Sequence, residues 1–189
     1  RVDLALIATP AAEAPGILEQ CGANGVKMAV VYSGGFAERG DAGAALQERL
    51  VETARRHRIR VLGPNAMGIM RPQNGLNTTF GVSKALRGNV ALVSQSGAVC
   101  SAMLDWSGPR QLGFSAVVSL GAAADVDFGD VLDFLALDPH TQSILLYVEG
   151  IRDARRFVSG LRAAARLKPV IVIKSGRYPA GSRAAKSHT

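Results

Sequence analysis

Three residues near the end of the sequence, Ser187-His188-Thr189, carry the most reactive side chain in a telling position. They follow an apolar strand-like run, Pro169-Val170-Ile171-Val172-Ile173, and a loop opening with Lys174-Ser175-Gly176-Arg177. An imidazole beyond the carboxyl end of a parallel strand lies where open α/β sheets keep their chemistry. Taken alone, such a histidine is an ordinary solvated loop residue. Upstream, Val93-Ser94-Gln95-Ser96-Gly97-Ala98 joins an apolar strand to a helical stretch. Small residues there let an anion approach the unpaired N–H groups and partial positive charge of a helix start. The simpler reading of that turn is helix capping, which serine also favours. A phosphate-binding turn and a histidine in one domain together point to a histidine that carries a phosphoryl group.

Carboxylates and strand ends add to this set. Glu149 follows the apolar run Ile144-Leu145-Leu146-Tyr147-Val148. It is placed either to hold a histidine ring N–H, fixing which nitrogen attacks phosphorus, or to cap the helix containing Arg155 and Arg156. Asp125, Asp127 and Asp130 resemble a metal cluster but lack the later Gly and Glu of a calcium loop, and helix capping accounts for them. In the first half, Ala8-Thr9-Pro10, Tyr32-Ser33-Gly34-Gly35 and Gly63-Pro64-Asn65-Ala66 end three successive strands, an edge suited to a nucleotide-like cofactor. Neither a Gly-x-Gly-x-x-Gly fingerprint nor a Walker-type Gly-Lys-Ser/Thr run occurs.

The elements that must position these residues alternate strand and helix. Strands are expected at 4–8, 26–32 and 59–62, with helices at 15–20 and 44–56, the latter carrying Leu46, Leu50, Val51 and Ala54 on one face. From 70 to 87 the periodicity is lost among Pro72, Asn74, Gly75, Asn77 and Gly81, which reads as a linker. A second series follows, with strands at 90–93, 116–119, 144–148 and 170–173 and helices at 98–106, 130–137 and 154–167. The expected fold is α/β with two doubly wound parallel-sheet domains: a partial Rossmann-like domain over 1–75, a linker over 76–88 and a flavodoxin-like domain over 89–189.

Composition narrows the function classes. Of 189 residues, 48% are hydrophobic and 20% charged, which suits a soluble globular chain with a real core. No apolar run reaches the roughly 18 residues of a membrane span. The net charge of +7 invites a nucleic-acid partner, yet the arginines are interspersed with acids and no basic stripe alternates with aromatics. Cys21 and Cys100 have no metal or redox spacing, in keeping with a reduced, cytoplasmic setting. The sequence starts at Arg1 without Met and stops inside a loop, as expected of a piece of a longer polypeptide.

Five segments occur in a fixed order: Gly63-Pro64-Asn65-Ala66-Met67-Gly68, Ser94-Gln95-Ser96-Gly97, Ser119-Leu120-Gly121, Tyr147-Val148-Glu149-Gly150 and Lys186-Ser187-His188-Thr189. Together they resemble the NDP-forming acyl-CoA synthetase superfamily, which includes succinyl-CoA synthetase α-subunits and ADP-forming acetate–CoA ligases. The resemblance implies a coenzyme A-binding first domain and a ligase-type second domain whose histidine, matched by His188, is phosphorylated. It implies that Glu149 orients that histidine and that Ser94, Gln95, Ser96 and Gly97 receive the phosphate. Tyr32, Ser33 and Gly34 match positions lining coenzyme A, Thr9 and Pro10 share that edge, and Asn65 and Ala66 match the place near the thiol. ADP or ATP with Mg2+ would sit on an ATP-grasp domain or subunit, in an oligomeric assembly. A cousin group is similar too: the acyl-CoA-binding half of bacterial protein lysine acetyltransferases, matched at Leu104-Asp105-Trp106 and Val126-Asp127-Phe128-Gly129-Asp130. Arg152, near Glu149, is expected to be a surface bystander.

Overall fold

The computed structural model describes residues 2–176. The chain opens with β1 (Leu4–Ile7), α1 (Ala14–Ala23), β2 (Met28–Val31), α2 (Asp41–His57) and β3 (Arg60–Leu62), and the three strands form a parallel sheet in the order β1-β2-β3. Helix α2 illustrates how sequence sets an element. Asp41 lies in its first turn and Arg55, Arg56 and His57 in its last, matching the helix dipole, while Leu50, Val51 and Ala54 are buried. It stops at Arg58, which takes a left-handed conformation with φ 55°.

The second sheet contains β4 (Gly68–Arg71), β5 (Leu76–Asn77), β6 (Arg87–Ser94), β7 (Phe114–Ser119), β8 (Ser143–Val148) and β9 (Val170–Lys174), in the order β5-β4-β7-β6-β8-β9. Strands β7, β6, β8 and β9 pair in parallel, and α3 (Gly97–Ser107), α4 (Phe128–Leu137) and α5 (Ala154–Ala165) connect them. All six residues of β7 are buried, as a strand covered on both faces requires. The order reverses on either side of β6, so the crevice between the carboxyl ends of β6 and β8 is the sheet's topological switch point.

The alternating α/β reading holds, and the segment expected as a linker differs from it. Strands β4 and β5 pair antiparallel with each other, and β4 pairs antiparallel with β7. Residues 68–77 therefore belong to the second sheet by hydrogen bonding, whereas the sequence reading put most of them in the first domain. Four- and two-residue strands between Gly and Pro are too short to show a period. Gly68, at φ 115°, also lets the Thr78 carbonyl approach where a Cβ would lie 2.7 Å from its oxygen. Among the described residues, no helix is long and apolar enough to cross a membrane.

A single core joins the two sheets. Val30 and Leu62 of the first pack in one buried cluster with Ala91, Val93, Ala116, Leu132 and Ile144 of the second. The backbone also crosses the joint: the N–H groups of Ala122, Ala124 and Val126 donate to the carbonyls of Pro64, Gly63 and Val61 at 2.9, 2.9 and 3.0 Å. Gly121, at φ 55°, lies under Pro64 and Asn65, and a Cβ there would collide with both their carbonyl oxygens. Elsewhere, Arg71 makes two hydrogen bonds to buried Asp138, at 3.0 and 3.2 Å, and the Thr141 hydroxyl donates a third at 2.6 Å. Burial alone would raise the Asp138 carboxyl, but Arg71, Thr141 and the His140 N–H together hold it below its ordinary value.

Two stability predictions follow from these contacts. Gly121→Ala combines backbone strain with a backbone collision, and urea denaturation should show a loss of about 3 kcal/mol or more. Gly16→Ala, in an open part of α1, should gain about 0.5–1 kcal/mol. Equal responses of the two would contradict the packing described. The Asp138 carboxyl, depressed in the fold, stabilises above its ordinary value of 3.8 and loses that contribution as pH falls through the folded value. Arg71→Met leaves a buried charge unpaired and should cost about 3–5 kcal/mol at neutral pH. The deficit relative to wild type should narrow below about pH 4 as Asp138 takes up a proton; a pH-independent deficit would refute the pairing.

Candidate functional site

Because β1, β2 and β3 run parallel, the residues after them share one edge. The turns are laced together: Tyr32 N–H donates to the Ile7 carbonyl at 3.0 Å, Asn65 N–H to the Ser33 carbonyl at 3.0 Å, and Ala66 N–H to the Val31 carbonyl at 3.3 Å. A Cβ on Gly34 would stand 3.6 Å from the Asn65 side-chain oxygen, so glycine keeps this edge low. Exposed Pro10 starts the turn after Thr9. The side-chain oxygens of Thr9 and Ser33 are buried with no hydrogen-bond partner among the described residues. Two orphaned hydroxyls on one edge suit a polar ligand that lies across it.

Two features of this edge lay beyond the sequence reading. The Glu38 carboxylate accepts the N–H groups of Gly35 and, at 3.1 Å, Phe36. It closes the turn after β2, a role signalled only by an acid just past a Gly-Gly pair. Tyr32, expected to line the cofactor site, has its hydroxyl committed to the Thr78 carbonyl. Its ring meets Phe80 edge-on at 5.7 Å, and burial pushes its phenol up. Tyr32 thus ties the first sheet to the loop after β5.

The switch point of the second sheet holds the other half of the site. Ser94 is fully buried, and its hydroxyl accepts the Ser96 N–H at 3.0 Å and contacts the Ser96 carbonyl at 2.8 Å. It shapes the turn from within. The Ser96 hydroxyl caps α3 by accepting from Val99 N–H at 3.3 Å. The backbone N–H groups of Gly97 and Ala98, at the first two helical positions, have no acceptor within the helix, which makes them donors of the kind an anion can use. Burial pushes the Cys100 thiol, one turn on, up to about 12, which keeps it protonated and inert.

Gln95 links this turn to Glu149. Its side-chain oxygen accepts the N–H groups of Glu149 and Gly150 at 2.7 and 2.9 Å, and its own N–H donates to the Tyr147 carbonyl at 3.2 Å. Gln95 therefore holds the acid beside the phosphate turn. The capping role open to Glu149 is filled by Asp153, which accepts from Arg156 N–H at 2.9 Å. Arg152 is no bystander: its guanidinium donates to the Ala123 carbonyl at 2.9 Å and to the Ala124 carbonyl. The aspartate cluster is engaged internally. Asp127 and Asp130 form a capping box on α4, and Arg60 pairs with Asp125 and Asp130 at 3.0 Å. His188, with Ser187 and Thr189, lies outside the described residues.

The two edges meet at Met67. Its N–H donates to the buried Ser119 hydroxyl at 2.9 Å, and a Cβ on Gly97 would sit 3.4 Å from Met67 Cβ. The turn ending in Asn65 and Ala66 is thus in contact with the start of α3.

Known proteins resemble both halves of the chain. A family model described as a CoA binding domain matches residues 1–72, and one described as a succinyl-CoA ligase like flavodoxin domain matches residues 87–189. The chain is 46% identical to the acetate–CoA ligase [ADP-forming] I subunit alpha of Pyrococcus furiosus and 45% identical to acetate–CoA ligase [ADP-forming] I of Archaeoglobus fulgidus. All of the chain aligns in both cases, and it spans 41% and 27% of the lengths of those relatives. A solved acetyl-coenzyme A synthetase 1 from Ca. Korarchaeum cryptofilum, in complex with phosphate and ADP, matches 99% of the chain and is 40% covered by it. That match has a TM-score of 0.92 and 43% identity. With a CoA-binding domain preceding a succinyl-CoA ligase-like flavodoxin domain that fills more than half its length, the chain belongs to the NDP-forming acyl-CoA synthetase superfamily.

Proposed function

We propose that the chain provides the acyl-CoA site and the phosphoryl-relay site of an ADP-forming acyl-CoA ligase of the acetate–CoA type. The observation that carries this reading is the contact chain from Asn65-Ala66-Met67 through Gly97 to Gln95 and Glu149. It joins the turns that this reading assigns to CoA, to phosphate and to the orienting carboxylate. Thr9 and Ser33 fit coenzyme A because their buried hydroxyls find no partner among the described residues, and its polar groups would supply one.

In this reading, phosphate held at the Gly97 and Ala98 N–H groups attacks the thioester carbonyl of the acyl-CoA substrate. The thiolate leaves and an acyl phosphate remains. One ring nitrogen of His188 then attacks phosphorus, expelling the carboxylate product, while Glu149 holds the proton on the other nitrogen. The phosphoryl group passes to ADP with Mg2+ on an ATP-grasp partner within a larger assembly. Splitting the reaction avoids bringing acyl-CoA, phosphate and ADP together at once.

Labelled phosphate with acetyl-CoA, or γ-labelled ATP, should place acid-labile label on the intact protein, and His188→Asn should abolish it. Glu149→Gln should slow labelling by about 100-fold. Wild-type labelling speed in Glu149→Gln would remove Glu149 from the relay. Acyl-CoA binding with no label in the wild type would favour the regulatory half of a protein acetyltransferase.

A second test concerns the CoA edge. Ser33→Ala and Thr9→Val should each weaken CoA binding by about 3- to 10-fold in calorimetry, the scale of one neutral hydrogen bond. Neither should lower the unfolding free energy, since each removes an unsatisfied buried hydroxyl. Unchanged affinity in both variants would place CoA elsewhere.

A further inference from the structure

The peptide groups around Glu149 are held from two sides. On one side, Gln95 accepts the N–H groups of Glu149 and Gly150 at 2.7 and 2.9 Å. On the other, the Lys174 ammonium donates to the Glu149 carbonyl at 2.9 Å and also to the Ser175 carbonyl. Parallel pairing puts Val148 directly opposite Lys174, and Ser175 N–H closes the last rung on the Val148 carbonyl at 2.9 Å. Strand β8 ends at Val148, so Glu149 lies just past it. The ammonium at the last position of an otherwise aliphatic strand, Val170-Ile171-Val172-Ile173-Lys174, reaches the Glu149 carbonyl there.

We infer that Lys174 is a positioning residue for the phosphoryl step: it locks the Glu149 peptide against the phosphate turn and ties it to the start of the segment that carries His188. This role rests on the proposed relay. A carboxylate that orients an imidazole must be held to within a fraction of an ångström, and a side chain on a turn gains that precision only if its backbone is fixed. Gln95 fixes the two donors of the Glu149-Gly150 turn, and Lys174 fixes the Glu149 acceptor. The contact to Ser175 makes the same ammonium a staple between the ends of β8 and β9. A methionine has the length of lysine but no donor, whereas arginine keeps both charge and donors.

The test uses the intact protein in three forms: wild type, Lys174→Met and Lys174→Arg. Hydrogen exchange of the unliganded protein should show the Glu149 and Gly150 amides exchanging about tenfold faster in Lys174→Met. The rate of phosphohistidine formation should fall about tenfold or more in that variant, the scale expected from misplacing a catalytic group. The KM for acetyl-CoA should stay within twofold, and Lys174→Arg should recover most of the rate. Lys174 is exposed, so all three forms should fold alike. A labelled wild type with an equally fast Lys174→Met overturns the role whatever the exchange shows, as does a loss of rate that arginine fails to restore. A wild type that takes no label removes the proposed relay, and this role with it.

Discussion

The joint between the turns after β3 and β7 is the constraint on which the site depends. The N–H groups of Ala122, Ala124 and Val126 reach back to the carbonyls of Pro64, Gly63 and Val61, and Gly121 makes the approach possible by having no side chain. Without that joint the molecule would be two small sheets with separate edges. With it, the edge of β1, β2 and β3 is fixed against the switch point of the second sheet, and Met67 touches the start of α3. Arg60, paired with Asp125 and Asp130, guards the same joint from the solvent side.

Within the candidate site, the polar side chains mostly build the turns. Ser94 folds onto its own turn, Ser96 caps α3, and Gln95 spends its oxygen on the Glu149-Gly150 turn. What remains for an anion is the pair of N–H groups at the start of α3. Such donors are fixed before any ligand arrives, which is the electrostatic preorganisation that phosphoryl chemistry rewards. The first sheet works differently. There, the buried hydroxyls of Thr9 and Ser33 have no partner among the described residues, an arrangement a stability argument alone would disfavour.

Much of the fold was legible because it rests on long apolar runs. Strands β6 to β9 are built on apolar runs and α2 carries an apolar face, and turns containing glycine or serine punctuate the series. Strands β4 and β5 were hidden because four and two residues are too few for a period, and the pairing of β4 with β7 is non-local. The site was legible in its residue types but less so in its roles. Tyr32 matched a cofactor position yet commits its hydroxyl to Thr78. Arg152 looked superficial and instead holds the carbonyls of Ala123 and Ala124. Such partners lie about 30 to 50 residues away in sequence, and no local pattern encodes them. Glu149 had two possible jobs, and only the position of Asp153 at the α5 cap removed one of them.

One short chain of contacts through Met67 joins the turns proposed to take coenzyme A and phosphate. A crystal structure of the intact protein with coenzyme A and phosphate tests it most directly. Phosphate should accept hydrogen bonds from the Gly97 and Ala98 N–H groups at about 3 Å. The CoA sulfur should lie beside Asn65 and Ala66, within roughly 4 Å of that phosphate, the separation a reacting pair needs. Phosphate bound away from the start of α3, or a thiol more than about 10 Å from it, beyond the reach of a near-attack geometry, would contradict the account.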